Sequence, residues 1–192
     1  MKTFLAVVLS VSAAAVVLAG CKTSRKGSES APNRVISRDG SFELRDYPSL
    51  TIVETAMDAD SGSSFQRLFR YISGANANDE KIPMTTPVFM TGGESPRAMS
   101  FVMPADMDSA PGPKDPALRV AKIPAGRFAV FVFSGSRSTA SESNALAQLK
   151  AWMKKSDLVA SGDPLFGYFD PPWTPSFLRR NEVMLRVEGP AR

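Results

Sequence analysis

Ser63–Met90, SSFQRLFRYISGANANDEKIPMTTPVFM, reads as a helix, a turn and a strand, and the rest of the chain repeats it, covers it or tethers it. Ser63 followed three residues later by Gln66 is a capping-box start. Phe65, Leu68, Phe69 and Ile72 then fall at i, i+3, i+4 and i+7, a single apolar stripe expected to face the core. Gly74 ends the helix, because a left-handed C-cap costs glycine nothing, and Asn76–Glu80 has the composition of a surface loop. Lys81–Met90 returns as an extended segment, since Thr85-Thr86-Pro87 resists helix, with Pro87 at a strand start or on an edge.

On either side of this stretch the chain shows an internal repeat. The first half runs FELRDY, Pro48, LTIVETAM, the Ser63–Ser73 helix, a strand around Thr86–Met90, and AMSFVM. The second runs LRVAKI, Pro124, RFAVFVF, a helix over 140–155, a strand around Leu165–Asp170, and EVMLRVE. Each first hairpin is expected to carry its proline between its strands, and Ser-Gly-Ser stands before both helices, at Ser61 and Ser134. Two such ββαββ repeats predict an α+β domain: a distorted antiparallel β-barrel of about eight strands flanked by two α-helices. Phe128–Phe133 is apolar at every position, so both its faces must be covered. Met99, Phe101 and Met103 alternate with Ser100 and Val102, as in a wall with one buried face. The second helix opens on Thr139 and Glu142, a capping box, and carries Leu146, Leu149 and Met153 on one stripe with Trp152 beside it.

The N-terminal residues belong to targeting. Lys2, the apolar run Phe4–Ala19 and Leu18-Ala19-Gly20-Cys21 form a signal peptide over 1–20 that ends at a lipobox-like cysteine. Cys21 is then the lipidated first mature residue, and 21–36 is a flexible tether reaching on the order of 20 Å. The folded domain is expected over 37–189. Lys22 after the cysteine favours, by resemblance to bacterial lipoproteins, an outer-membrane address facing the periplasm. Cys21 is the one cysteine, so thiol redox chemistry and disulfides are excluded and a hydrophobic core must supply the stability. There is no histidine, which removes Ser-His and Cys-His pairs, the common zinc sites and His-ligated haem. The net charge of +4 comes from Lys and Arg scattered without aromatic interleaving, so no nucleic-acid partner is expected.

FQRLFRYISGANANDEKIPMTTPV, together with FELRDYP, MSFVMP at Met99–Pro104 and YFDPPWTPSFLRRNEV near the end, resembles the SOUL haem-binding family over nearly the whole chain after residue 40. The resemblance implies a distorted barrel of two repeated halves with two long helices. It also implies non-enzymatic binding of haem or another tetrapyrrole in a hydrophobic groove, here without a histidine ligand.

A planar macrocycle needs an apolar, aromatic cleft with cations at its rim for its carboxylates. The candidates are Arg67 and Arg70 on the first helix, Lys81 after its loop, Met84 and Met90 as adaptable thioethers, and Tyr168, Trp173, Arg179 and Arg180 near the end. Each has a plainer reading as core filler or solvated charge. Tyr168–Phe177, with four aromatics and three prolines, is a stiff loop presenting rings, either a lid over a cleft or a strap sealing the barrel. Glu182 follows, a surface residue or the one charged group of a pocket. The repeated plan also resembles effector-binding domains of multidrug-responsive regulators, some of whose relatives are hydrolases using a pocket Glu with a Tyr. On that alternative the pair is Glu182 with Tyr71 or Tyr168. A ligand-free envelope scaffold is the third reading.

Overall fold

The computed structural model describes residues 28–57, 61–93, 97–107 and 109–188; the expected signal peptide, Cys21 and most of the expected tether lie outside them. In chain order the elements are β1 (Glu29–Ser30), β2 (Arg34–Asp39), β3 (Phe42–Tyr47), β4 (Leu50–Ala56), α1 (Ser61–Ile72), β5 (Thr85–Thr86), β6 (Val88–Thr91) and β7 (Ala98–Val102). There follow β8 (Leu118–Ile123), β9 (Gly126–Phe133), α2 (Thr139–Lys155), β10 (Ala160–Tyr168), a 3-10 turn at Ser176–Leu178, and β11 (Asn181–Val187). Among the described residues no helix is long and apolar enough to cross a membrane.

The α+β class holds, with two helices on one large antiparallel sheet, but the sheet does not close into a barrel. Its nine strands run β2-β3-β9-β11-β10-β6-β7-β4-β8, and β1 and β5 pair in parallel beside it. The hairpins expected around Pro48 and Pro124 do not form. β3 pairs with β9, and β4 with β8, so each repeat lends its first strand to the other repeat's wing. The wings meet at β6 and β10, where Val88 stands opposite Tyr168. Tyr47, Phe128, Val130 and Met184 of one wing pack with Leu50, Ile52, Phe89 and Val102 of the other, so the sheet curls until its inner faces touch.

The outer faces carry the helices. α1 lies on β4 and β7, and α2 on β9, β11 and β10. Phe128–Phe133 divides as its composition requires: Phe128 and Val130 line the inside, while Ala129 and Phe131 pack under Ala145, Leu149 and Met153 of α2. Ser100 and Val102 turn inward and are buried as completely as Met99 and Phe101 beneath α1, so β7 is a wall with both faces covered.

Local signals are met with shifts of a residue or two. α1 ends before Gly74, whose φ of 117° is the left-handed geometry a C-terminal glycine supplies. Asn76, read as loop surface, is buried and organises the turn: its Nδ2 donates to Tyr71 O (2.9 Å) and Glu80 O (2.6 Å), and its Oδ1 accepts from the backbone of Asn78 and Glu80. The capping box of α2 is Ser138 with Ser141, which releases Glu142 to turn inward. The tether is shorter than expected, because Glu29–Ser30 pairs with Thr85–Thr86 and Ala31 is buried, its N–H donating to Thr86 O at 2.8 Å.

The main departure is on α1. Its buried residues are Ser64, Leu68, Tyr71 and Ile72, a face rotated away from the expected stripe, so Phe65 is 38% and Phe69 49% exposed. Leu68→Ala is therefore expected to cost about 2–5 kcal/mol by transfer and cavity terms, and Phe69→Ala no more than about 1 kcal/mol. Thermal melts of the two variants check this; equal losses would place Phe69 in the core.

Candidate functional site

The sequence-derived candidates fall into separate neighbourhoods. On one flank of α1, Arg67 and Arg70 line a cleft of about 240 Å³ with Tyr71, Ala75, Lys114, Asp115 and Leu118. That is below the range of about 300–1,000 Å³ usual for small-molecule sites. Arg67 is engaged there: Nη1 donates to Thr55 Oγ1 at 2.8 Å, and Nε lies 3.8 Å from Asp115 Oδ2. Lys81 is exposed in the segment after α1. Met84 is partly buried against the α1 layer and Met90 is buried within it.

On the other flank of α1 stand the exposed phenylalanines. Their rings are stacked, with centroids 6.1 Å apart and 12° between planes, and Phe65 meets Phe101 edge-on at 5.2 Å. Because α1 covers β4 and β7 while α2 covers β9, β11 and β10, this flank looks along the sheet order toward β6 and the seam between the helices. Val88 and Tyr168, both partly buried, pack against the α1 layer at that seam. Glu142, buried on α2, closes it: Tyr168 Oη donates to its Oε1 at 2.5 Å, Arg97 Nη2 lies 2.8 Å from Oε2, and Arg137 Nε 3.6 Å from Oε1. The Arg137 guanidinium also sits 5.8 Å over the Tyr168 ring. Two partly exposed arginines thus share one carboxylate and leave a net positive rim beside an aromatic wall.

A second ionic cluster closes one end of the sheet interior. Arg45 bridges two buried carboxylates, donating from Nε to Glu43 Oε2 (2.7 Å) and from Nη1 and Nη2 to Glu182 Oε2 and Oε1 (2.9 and 3.0 Å). Arg45 Nη1 also donates to Tyr47 Oη at 3.1 Å, and Arg180 donates to Glu182 Oε1 from Nε at 2.9 Å. Burial works against the Arg45 charge, but Glu182, Tyr47 and Glu43 outweigh it and hold its pKa above the ordinary value. Glu182 is thus the charged group of an interior, and its charge is already matched.

The pairing expected of a hydrolytic site is not formed. Tyr168 bonds to Glu142, and Tyr71 donates to Pro111 O at 2.6 Å, so neither reaches Glu182. All three tyrosines are shifted away from ionisation: burial pushes Tyr47 and Tyr71 up to about 12, and burial with the Glu142 hydrogen bond pushes Tyr168 up further. Arg179 is committed to its own loop, donating from Nε to Thr174 O at 2.7 Å and from Nη2 to Pro172 O, while Trp173 stands exposed at the loop tip.

Sequence reasoning counted Phe65 and Phe69 as core and passed over Arg97, Arg137 and the role of Glu142. The i, i+4 spacing of the two phenylalanines shows that they share a flank of α1. It does not show whether that flank is covered.

A family model described as SOUL heme-binding protein matches residues 28–186. Among solved structures the chain is similar to the EcmrR C-terminal domain, at 14% identity over 77% of this chain and 96% of that one, with a TM-score of 0.57. It is similar also to a hydrolase from Listeria innocua, at 9% identity over 80% and 94% of the two chains and a TM-score of 0.54. A further likeness is to a conserved protein from Listeria innocua described as uncharacterized, at 10% identity over 79% and 94% and a TM-score of 0.58. At these identities the likenesses show the fold alone. No curated protein matches the chain.

Proposed function

The chain belongs to the SOUL heme-binding protein family, and on that premise we propose that it binds a tetrapyrrole, without catalysis, on the outer face at the seam between α1 and α2. The observation that carries the reading is the exposed, stacked Phe65–Phe69 pair, which offers a flat apolar surface beside the Arg97–Glu142–Arg137 rim. Phe65 and Phe69 form the wall; Val88 and Tyr168 form the floor. Arg97 and Arg137 receive the ligand's carboxylates. Met84 and Met90 pack in the α1 layer with Val88 and Tyr168, while Trp173, Arg179 and Arg180 belong to the β10–β11 loop and the Glu182 cluster.

These side chains suit the periphery of a tetrapyrrole and not its metal. There is no imidazole, each tyrosine is held neutral, and Met90 is buried in the α1 layer. Metal-free protoporphyrin is therefore expected to bind within about threefold of haemin, since without a strong ligand the iron adds little. Absorption titrations of both compounds check this; haemin binding more than about tenfold tighter, roughly 1.4 kcal/mol, would overturn the ligand-free reading of the iron.

The hydrolytic alternative through Glu182 is disfavoured because Arg45 and Arg180 occupy both carboxylate oxygens, and Tyr71 and Tyr168 bond elsewhere. The second half of the proposal is the address. The apolar run Phe4–Ala19 ending at Cys21 supports a lipid anchor holding the domain on a bacterial membrane, in the outer membrane facing the periplasm. Cys21→Ser is expected to move the protein from the detergent phase to the aqueous phase in phase partition, and unchanged partition refutes the anchor.

A further inference from the structure

The loop between β10 and β11 carries the most exposed apolar side chains of the described residues, Trp173 at 80% and Phe177 at 74%, with Leu178 beside them. Such rings ordinarily collapse onto the domain, and here the loop is built so that they do not. Pro171, Pro172 and Pro175 limit its backbone, and Arg179 ties the carbonyls of Pro172 and Thr174. The Asp170 carboxylate accepts the Arg180 N–H at 2.7 Å, and Gly135 N–H donates to Ser176 O at 3.0 Å. Rings presented on a fixed scaffold lose little freedom when they are covered, which favours binding something.

Register shows what lies beside the loop. Tyr168 pairs with Asn181 and with Val88, so the loop leaves the sheet at the end where β6 begins. Immediately before β6 is β5, and β5 is the strand to which β1 pairs, Glu29 opposite Thr85. β1, the first strand among the described residues, therefore lies at the same end of the sheet as the aromatic loop. Residues 22–28, seven in number, separate Cys21 from β1 and span at most roughly 25 Å. Between Tyr168 and Asn181 the loop holds two arginines and one carboxylate, Asp170, which is taken up by the Arg180 N–H.

We infer that Trp173 and Phe177 dock into the headgroup region of the lipid bilayer, making the β10–β11 loop a second membrane contact beside the anchor. The inference rests on the lipid anchor at Cys21 proposed above. Tryptophan suits this boundary because its ring is apolar and its N–H is polar. An anchor at one point fixes the distance of the domain from the bilayer but not its orientation, and a second contact orients it.

The test uses the full chain with Trp152→Phe, which leaves Trp173 as the sole indole. It is mixed with phosphatidylethanolamine–phosphatidylglycerol vesicles whose acyl chains are brominated. Trp173 emission is expected to shift to shorter wavelength and fall by about half, as for an indole within reach of the acyl boundary. Emission unchanged on vesicles with which the protein co-sediments overturns the loop contact and leaves the anchor standing. Cys21→Ser in the same measurement separates the two: sedimentation lost with Trp173 still quenched at high lipid supports the loop without the anchor, and no quenching overturns the loop. A shift of equal size produced by haemin alone makes the loop a lid, and one produced by raising protein concentration makes it a self-association surface; either overturns the proposal. Trp173→Ala, with Trp152 retained, is expected to weaken vesicle sedimentation about threefold or more while leaving the melting curve unchanged.

Discussion

Replacing Glu182 with alanine is expected to destabilise the domain by about 3–5 kcal/mol, the cost of leaving a buried charge without its partner. Against a usual margin of about 5–15 kcal/mol this brings the fold close to unfolding at physiological temperature. Arg45 is buried and receives both oxygens of Glu182, while its third contact, Glu43, is also drawn on by the exposed Arg38 at 2.9 Å. Removing Glu182 leaves the Arg45 and Arg180 guanidinium groups facing one another across the vacated carboxylate. Urea unfolding of Glu182→Ala beside the Arg45→Met, Glu182→Leu double variant measures the effect. The double variant, having no orphaned charge, should recover most of the loss. A loss below about 1 kcal/mol in the single variant would show that water reaches this cluster.

Phe65→Asp combined with Phe69→Asp is expected to weaken porphyrin binding by more than a hundredfold with little change in melting temperature. Burying each phenylalanine under a ligand is worth roughly 1.5–3 kcal/mol in full, and the half already exposed on α1 is the part a macrocycle covers. Together the two rings account for about 1.5–3 kcal/mol, roughly ten- to hundredfold in affinity, before the aspartates repel the ligand's carboxylates. Stability is spared because Leu68, Tyr71 and Ile72, not the phenylalanines, form the buried face of α1. Fluorescence quenching by protoporphyrin reads affinity, and calorimetry reads stability on the same samples. Unaltered affinity would move the site to the opposite flank of α1, where Arg67, Arg70 and Lys114 line the cleft, or to the β10–β11 loop.

How much of this was legible beforehand varies with the range of the interaction involved. Local chemistry was readable: Gly74 in its left-handed cap and the two-sided burial of Phe128–Phe133. The repeat was readable too, since each half carries the same order of periodicities, and with it the α+β class and the two helices. Each of these depends on neighbours within a few residues, where φ/ψ preference and side-chain period act directly.

Partner choice was not readable. Pro48 and Pro124 mark where β3 parts from β4 and β8 from β9, but backbone hydrogen bonds carry no residue identity, so nothing local says that β3 joins β9 or that β4 joins β8. The open sheet edge follows from the same ambiguity. Exposure on α1 was decided the same way, by which strands lie beneath it, leaving Phe65 and Phe69 uncovered although their spacing is that of a core stripe. Glu142 reaches Arg97 across 45 residues of chain and Arg45 reaches Glu182 across 137. Such pairs exist only once the two wings have been folded onto one another, because a charge is matched by whatever the tertiary fold brings within a few ångströms of it and not by its place in the sequence.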